Sequence, residues 1–227
     1  PHVSRAQHAA AELAAEGCRV IVVGEAGHPE VEGLTAWAEE AGGKVDVVAA
    51  PEEIPEGLYD PVGVVAQTTQ RRENLEAVVA ALKEKKLTLA TAESCTGGLL
   101  AKMLTDVAGS SDVFGYGFVT YANRAKTELV NVPPELLRRF GAVSEPVAVA
   151  MSRGARRAAA SDIALSVTGI AGPGGGSEEK PVGLVYIGLA TPDGTICKRF
   201  QFSGSRDKIR TQTAMNALSM LVRYLSR

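Results

Sequence analysis

A strand-like apolar run that ends on a serine and two glycines constrains the fold of this chain most. Residues 88–98 read Thr-Leu-Ala-Thr-Ala-Glu-Ser-Cys-Thr-Gly-Gly, and a helix can begin at Leu99. The backbone N–H groups of a helix N-terminus lack partners within the helix, so they bind anions and stabilise an oxyanion. The segment therefore predicts an α/β fold that presents the hydroxyl of Ser94 beside a helix N-terminus.

A second glycine-rich segment, residues 168–183, lies between two apolar runs. It has neither the Gly-x-x-x-x-Gly-Lys-[Ser/Thr] pattern of a phosphate-binding loop nor the dinucleotide fingerprint with its following helix. Two interpretations remain open: a flexible connection between strands, or a backbone that closely approaches a ligand or another chain. Arg206, with Ser203 and Ser205 nearby, can meet a phosphate from the start of the last helix.

Composition indicates an ordinary globular protein with one large domain or two small ones. The 227 residues are 45% hydrophobic and 22% charged, with a formal net charge of −2. No block of like charges indicates a nucleic-acid or membrane surface, and the apolar runs are too short to span a bilayer. Cys18, Cys95 and Cys197 are odd in number and far apart, which argues against a disulfide framework or a zinc site and favours a reducing cytoplasm. The N-terminus carries no signal pattern, and its first residue is Pro1, as in a trimmed or partial product.

The chain divides into two segments, 1–82 and 83–227, with the boundary in the charged stretch 83–86. In the first segment, periodicity predicts helices over 6–16, 34–41 and 72–85, strands over 19–23, 45–49 and 62–66, and a loop over 51–61. In the second, it predicts strands over 87–92, 115–121, 163–168, 182–190 and 196–202, with a hairpin turn at 191–194. Helices are expected over 98–107, 122–130, 133–140, about 144–160 with Ser144 as N-cap, and 206–225.

A hydroxyl nucleophile needs a base, and this chain offers a lysine rather than a histidine. All three histidines lie in the first segment, which excludes a Ser-His-Asp triad confined to the second. Lys126, just past a predicted strand end, is the candidate base if burial lowers its pKa. Tyr121 lies near it in sequence and could relay or orient a proton. On spacing alone, a solvated helix position is the simpler interpretation of Lys126. For Ser94, a helix cap and a nucleophile are equally good interpretations.

Six motifs of the second segment together resemble the CinA C-terminal domain, also called nicotinamide mononucleotide amidohydrolase or PncC-like deamidase. They are residues 92–98, 109–111, 119–126, 141–146, 168–183 and 202–206, and the resemblance covers about residues 75–227. It implies a layered α/β domain with a mixed sheet, assembly into a homodimer, and a role in pyridine-nucleotide salvage. It also implies hydrolysis of the nicotinamide mononucleotide carboxamide by a serine–lysine amidase that needs neither metal nor cofactor.

The resemblance assigns roles to individual residues. Ser94 would be the nucleophile and Lys126 the general base, with Tyr121 assisting. Many relatives carry Asp where this chain has Ser205, which bears on how the neighbouring arginine is oriented. The alternative is a nucleotide-binding, regulatory module without turnover. The pocket and oxyanion positions carried over are Thr96, Gly97, Gly98, Ser111, Thr168, Gly169, Gly172, Gly174 and Gly175, with Arg206 on the phosphate.

Residues 1–82 resemble part of a different family, LytB, an iron–sulfur reductase of hydroxymethylbutenyl diphosphate. The matching stretches are Pro1-His-Val, residues 27–33 and residues 65–69. In that family His28, Glu30 and Thr68 would contact substrate or deliver protons. An iron–sulfur cluster needs cysteine thiolates at defined positions, and this segment lacks them. We therefore expect a small, partial α/β domain without reductase activity.

Overall fold

The computed structural model of the chain describes residues 2–49, 61–66 and 68–227. Their contacts divide the chain into two compact units, residues 1–74 and 75–227, whereas the sequence pattern predicts a boundary at 82/83. Pro1, Gln67 of the third LytB-like stretch and nearly all of the predicted 51–61 loop lie outside the described residues. No helix among the described residues is long and apolar enough to cross a membrane.

The first unit is a three-stranded parallel sheet in the order β2-β1-β3. Its elements are α1 (His2–Ala15), β1 (Arg19–Val23), α2 (Pro29–Glu40), β2 (Val45–Val48) and β3 (Val62–Ala66). Both helices begin earlier than periodicity predicted. The imidazole Nδ1 of His28 accepts the N–H of Glu30 at 3.2 Å and caps α2, and proline follows as its first residue. The first turn of α2 is mostly polar, so the spacing of apolar residues does not reveal where this helix begins.

The second unit is a five-stranded mixed sheet in the order β5-β4-β6-β7-β8. Strands β5, β4 and β6 run parallel to one another. Strand β7 runs antiparallel to β6, and β8 runs antiparallel to β7. This arrangement confirms the predicted layered α/β architecture with a mixed sheet. Its elements are α3 (Thr68–Glu84), β4 (Leu89–Glu93), α4 (Leu99–Thr105), β5 (Phe114–Val119), α5 (Asn123–Val130), α6 (Pro134–Phe140), α7 (Glu145–Ala158), β6 (Ile163–Gly169), β7 (Leu184–Thr191), β8 (Gly194–Gln201) and α8 (Arg206–Leu225).

Apolar cores cover both faces of this sheet. One core lies under α4, α8 and the second half of α3, and the other lies under α7 with α5. Along β4 the side chains alternate between them, because Leu89 belongs to the first core while Ala90 and Ala92 belong to the second. The same alternation directs Glu93 towards α4 and the following Ser94 towards α5.

The carboxyl ends of the three parallel strands lie at one edge of the sheet. Glu93 pairs in register with Val119 of β5 and Val167 of β6. Each strand is followed there by a segment that the sequence analysis singled out: the serine turn, the segment leading to Lys126, and the glycine-rich loop. Ligands of open α/β sheets bind outside the carboxyl ends of their parallel strands, so this edge is where a site is expected.

Candidate active site

The structure brings Ser94 and Lys126 into direct contact. The Nζ of Lys126 donates a hydrogen bond to the Oγ of Ser94 at 3.0 Å. Lys126 is 1% exposed and Ser94 is 9% exposed. The simpler interpretation of Lys126 as a solvated helix residue is therefore wrong, because α5 points this side chain inward. Ser94 is likewise not the cap of α4, whose N-cap position is Gly98.

Two backbone carbonyls hold the lysine amine in place. Nζ of Lys126 also donates to the carbonyl oxygens of Thr120 at 2.7 Å and Tyr121 at 3.3 Å. Burial lowers the pKa of Lys126 to about 8, because desolvation disfavours its charged form. A neutral lysine has two N–H donors and one lone pair. With the carbonyls accepting the two N–H groups, the lone pair is left for the proton of Ser94, which is the arrangement a general base needs.

The N-terminus of α4 is occupied by the chain's own carboxylate. Glu93, 1% exposed, accepts the N–H groups of Gly98 and Leu100 at 3.0 Å each and of Ala101 at 2.8 Å. The N–H of Gly97 donates to the Ser94 carbonyl at 3.1 Å. This corrects the prediction that Gly97 and Gly98 offer free amides to an oxyanion or a substrate anion.

Thr96, the third residue predicted in this turn, is fully buried and does not line the pocket. Its carbonyl accepts a hydrogen bond from the guanidinium of Arg210 at 2.6 Å. Cys95, by contrast, does line the pocket, so its amide is the remaining oxyanion donor candidate beside Ser94. Burial raises the pKa of the Cys95 thiol to about 12, so this thiol stays protonated and does not compete with Ser94 as a nucleophile.

A pocket of about 280 Å³ opens above the Ser94–Lys126 pair. Two connections form its walls, the segment 142–143 and the glycine-rich loop after β6. The hydroxyl of Thr168 joins them by donating to the carbonyl of Ala142 at 2.8 Å. Beside the pair, the pocket brings together these predicted residues: Tyr121, Thr168, Gly169, Gly172, Gly174, Gly175 and Arg206.

Arg206 contacts the glycine-rich loop rather than the reacting pair. Its guanidinium donates to the carbonyl of Gly172 at 2.7 Å and to the phenol oxygen of Tyr121 at 3.3 Å. The predicted proton relay through the Tyr121 phenol finds no support, because the residue is 62% exposed and reaches Lys126 through its backbone carbonyl. Ser205 caps α8 by accepting the N–H of Lys208 at 3.3 Å, so it orients the helix that carries Arg206.

Ser111 is not brought to this pocket. It is exposed and precedes β5, which runs parallel to β4, so it lies at the amino edge of the sheet, away from Ser94. This corrects its placement among the pocket residues of the chain. A larger groove of about 390 Å³ between β8 and the end of α8 also lies at that edge, and it contains no serine–lysine pair.

Sequence reasoning missed several residues that build the site. Glu93 could have been found as an acidic residue at the end of an apolar strand, one turn's length before a helix N-terminus. Arg210 follows Arg206 by one helical turn and therefore faces the same way. Thr120 carried no signal, because it acts through backbone groups.

Similar proteins were found among both curated sequences and solved structures. The CinA-like protein of Geobacter sulfurreducens is 60% identical over 149 residues, covering 66% of this chain and 36% of that protein. The CinA-like protein of Geotalea uraniireducens is 54% identical over 154 residues, covering 67% and 37%. The chain thus spans well under half the length of these curated relatives.

Two crystal structures match this chain along nearly their whole length. Competence/damage inducible protein CihA from Agrobacterium tumefaciens is 43% identical with a TM-score of 0.67, covering 69% of this chain and 96% of that one. A CinA superfamily protein from Escherichia coli is 32% identical with a TM-score of 0.67, covering 70% and 93%.

The LytB protein family model matches residues 1–96. A second family model matches from residue 71 onward, so the two matches overlap. The LytB family implies an iron–sulfur cluster, which is held by cysteine thiolates, four in the common cluster types. The matched residues contain only Cys18 and Cys95, and Cys95 lines the serine–lysine pocket of the second unit. The donor set present in this chain does not fit such a cluster.

The family model of the CinA C-terminal domain matches residues 71–225, which is nearly all of the second unit. This range contains Ser94, Lys126, the glycine-rich loop and Arg206. It also covers more than half of the chain, and the relatives and solved structures above agree with it. The protein therefore belongs to the CinA C-terminal domain family.

Proposed function

We propose that this protein hydrolyses the carboxamide of nicotinamide mononucleotide to nicotinate mononucleotide and ammonia. The observation that supports it best is the 3.0 Å contact between the Ser94 hydroxyl and a buried lysine whose pKa is about 8. A lysine buried without an opposite charge costs stability, and the cost is understandable where a neutral amine is needed. The substrate itself comes from the family resemblance.

In the proposed reaction, neutral Lys126 takes the proton of Ser94 as Oγ bonds to the carboxamide carbon. The carbonyl electron pair moves onto oxygen, where the amide of Cys95 is the candidate donor. The tetrahedral intermediate then collapses, the C–N bond breaks, and the proton held by Lys126 goes to the departing ammonia. Lys126 then deprotonates a water that attacks the acyl carbon, and it returns that proton to Oγ of Ser94 as the C–Oγ bond breaks and the carboxylate is released. Arg206 and the glycine-rich loop would bind the phosphate.

The alternative is a nucleotide-binding module without turnover. A module that only binds needs the loop and Arg206, but it has no use for a serine held against a neutral lysine. The two functions predict different behaviour when the serine is removed, because only the enzyme depends on its hydroxyl.

The test is ammonia release from nicotinamide mononucleotide by the full chain, with Ser94→Ala as the matched variant. We expect release by the wild type and a loss of at least a thousandfold in Ser94→Ala, whose melting temperature still rises with the nucleotide. A wild type that is stabilised by the nucleotide but releases no ammonia would support the binding module instead.

A further inference from the structure

We propose that Glu93 is a positioning residue that fixes the attacking orientation of Ser94. The inference rests on the proposed function in that it treats Ser94 as a nucleophile, and it adds a residue that does not line the pocket. Glu93 directly precedes Ser94, and its carboxylate is buried on the opposite side of the strand. It therefore acts on the reaction only through the backbone that carries the serine.

The carboxylate supplies the N-terminal cap that α4 otherwise lacks. The N-cap residue of α4 is Gly98, which has no side chain to accept the free amides. Glu93 accepts three of them at 2.8 to 3.0 Å. Hydrogen bonds to a charged acceptor are about twice as strong as neutral ones, and a helix N-terminus favours negative charge. The start of α4 is thereby bound to the end of β4.

Both ends of the serine turn are fixed as a result. The turn, residues 94–98, runs from the backbone of Glu93 at the strand end to the amide of Gly98, which the same residue's carboxylate holds. Its middle is held by Arg210 at the carbonyl of Thr96. A five-residue turn tethered at its start, middle and end leaves the Cα–Cβ direction of Ser94 little freedom.

Glu93 also connects the nucleophile to its base. Its backbone carbonyl accepts the N–H of Thr120 at 2.7 Å, and the carbonyl of Thr120 accepts Nζ of Lys126 at 2.7 Å. Substituting the Glu93 side chain leaves this backbone connection in place. Such a substitution therefore changes the position of Ser94 while leaving the attachment of Lys126 as it is.

Glu93→Gln is the sharpest variant, because it keeps the volume and removes one acceptor oxygen. The new –NH2 group is a donor that faces the N–H donors of α4, so at least one of the three hydrogen bonds is lost. Misplacing a reacting group by about 1 Å can cost about a hundredfold in rate. The pocket residues stay untouched. We expect kcat to fall by at least tenfold while KM changes by less than threefold.

A variant that destabilises α4 without touching its first turn is the matched control. Leu104 lies at the other end of the helix, 1% exposed in the apolar core. Leu104→Ala should lower the melting temperature by as much as Glu93→Gln, but keep kcat within threefold of the wild type where it is fully folded. All three proteins are compared for ammonia release and for the rate at which a fluorophosphonate labels Ser94.

The proposal requires Glu93→Gln to lose at least tenfold in labelling rate as well as in kcat. A loss no larger than that of Leu104→Ala would overturn it. A wild type that is labelled but releases no ammonia would refute the proposed substrate alone, and the labelling rates would still decide the role of Glu93. A wild type that is neither labelled nor active would refute both. If Glu93→Gln does not fold, Glu93→Asp, which keeps the charge with a shorter reach, is judged by the same criterion.

Discussion

Burial of Lys126 gives the candidate site its own acid–base behaviour. The side chain is among the largest that are fully buried in the described part of the chain, and its partners are a hydroxyl and two carbonyls rather than a carboxylate. Desolvation is therefore not offset by an opposite charge, and the pKa falls to about 8. Two predictions at the scale of this residue follow from that value.

The first concerns activity. Because only the neutral amine can accept the proton of Ser94, kcat/KM should rise with pH and level off above about 8, with a tenfold loss for each unit of pH well below it. Lys126→Arg, whose guanidinium stays charged, should lose at least a thousandfold at every pH. Lys102→Arg is the control, since Lys102 is exposed on α4 and its pH profile should match the wild type. A flat wild-type profile between pH 6 and 9 would contradict Lys126 as the base.

The second concerns stability. The folded-state pKa of Lys126 is about 8 against an ordinary value of 10.5, so between them the unfolded chain binds more protons and stability rises with pH. Burial raises the pKa of Cys95 and Cys197 to about 12, which reverses the trend above pH 9, where unfolded thiols ionise.

Between pH 8 and 9, Lys126 should contribute a rise of about 1 kcal/mol to the free energy of unfolding, and the two thiols, which begin to ionise in the unfolded chain over the same interval, offset much of it in wild type and variant alike. Lys126→Met should lack this rise, as measured by urea unfolding at each pH. An equal slope in both proteins would show that the pKa of Lys126 is ordinary in the folded state.

At the scale of elements, the position of the base depends on how closely α7 approaches α5. Gly154 in the middle of α7 lies against the last residue of α5, where a Cβ atom would stand 1.7 Å from the carbonyl oxygen of Val130. Only glycine allows this contact, and α5 is the helix that carries Lys126. The packing of two helices therefore decides where the amine lies.

Gly154→Ala should destabilise the second unit by at least about 2 kcal/mol, although alanine is ordinarily the better helix former by about 1 kcal/mol. It should also lower kcat, because the helix that carries the base is displaced. Gly115→Ala on β5, where a Cβ meets nothing within 4 Å, is the control and should change stability by less than about 1 kcal/mol. Thermal unfolding distinguishes the two, and a Gly154→Ala protein as stable as the wild type would contradict the packing described.

Strands were the elements that sequence predicted best. Runs such as Arg19–Val23 and Ile163–Gly169 are β-branched, apolar and bounded by turn residues, so local preference and burial agree. Helix starts from α4 onward were predicted to within one residue, but α1, α2 and α3 begin four or five residues earlier than predicted. Ser144 precedes α7 as expected, but its hydroxyl donates to the carbonyl of Gly141 at 2.9 Å instead of accepting a helix amide. Which group a polar side chain bonds depends on neighbours that composition does not specify.

At the scale of the whole molecule, α3 spans the division between the two units. Its second half packs in the core of the larger unit, with Val78 and Val79 each 3% exposed and Leu82 fully buried. Each such side chain contributes about 1.5–3 kcal/mol by burial, which together is comparable to the stability of a domain.

A fragment of residues 75–227 should therefore unfold cooperatively and, under the proposed function, release ammonia from nicotinamide mononucleotide at the rate of the full chain. A fragment that begins at residue 87 lacks these three side chains and should unfold at a much lower temperature or not fold at all. Circular dichroism melting curves and activity of both fragments check this. Equal melting temperatures would show that α3 is dispensable to the larger unit.

Local patterns and long motifs were enough to predict the family, the α/β class with its mixed sheet, and most of the residues of the candidate pocket. Homodimerisation stays a prediction. Three features came from folding alone: Lys126 is buried against Ser94, Glu93 fills the helix N-terminus that was expected to bind an anion, and Ser111 lies at the far edge of the sheet. The physical reason is that the pKa of an amine, the partner of an amide and the edge at which a residue lies are set by groups distant in sequence, which strand order and helix packing bring together.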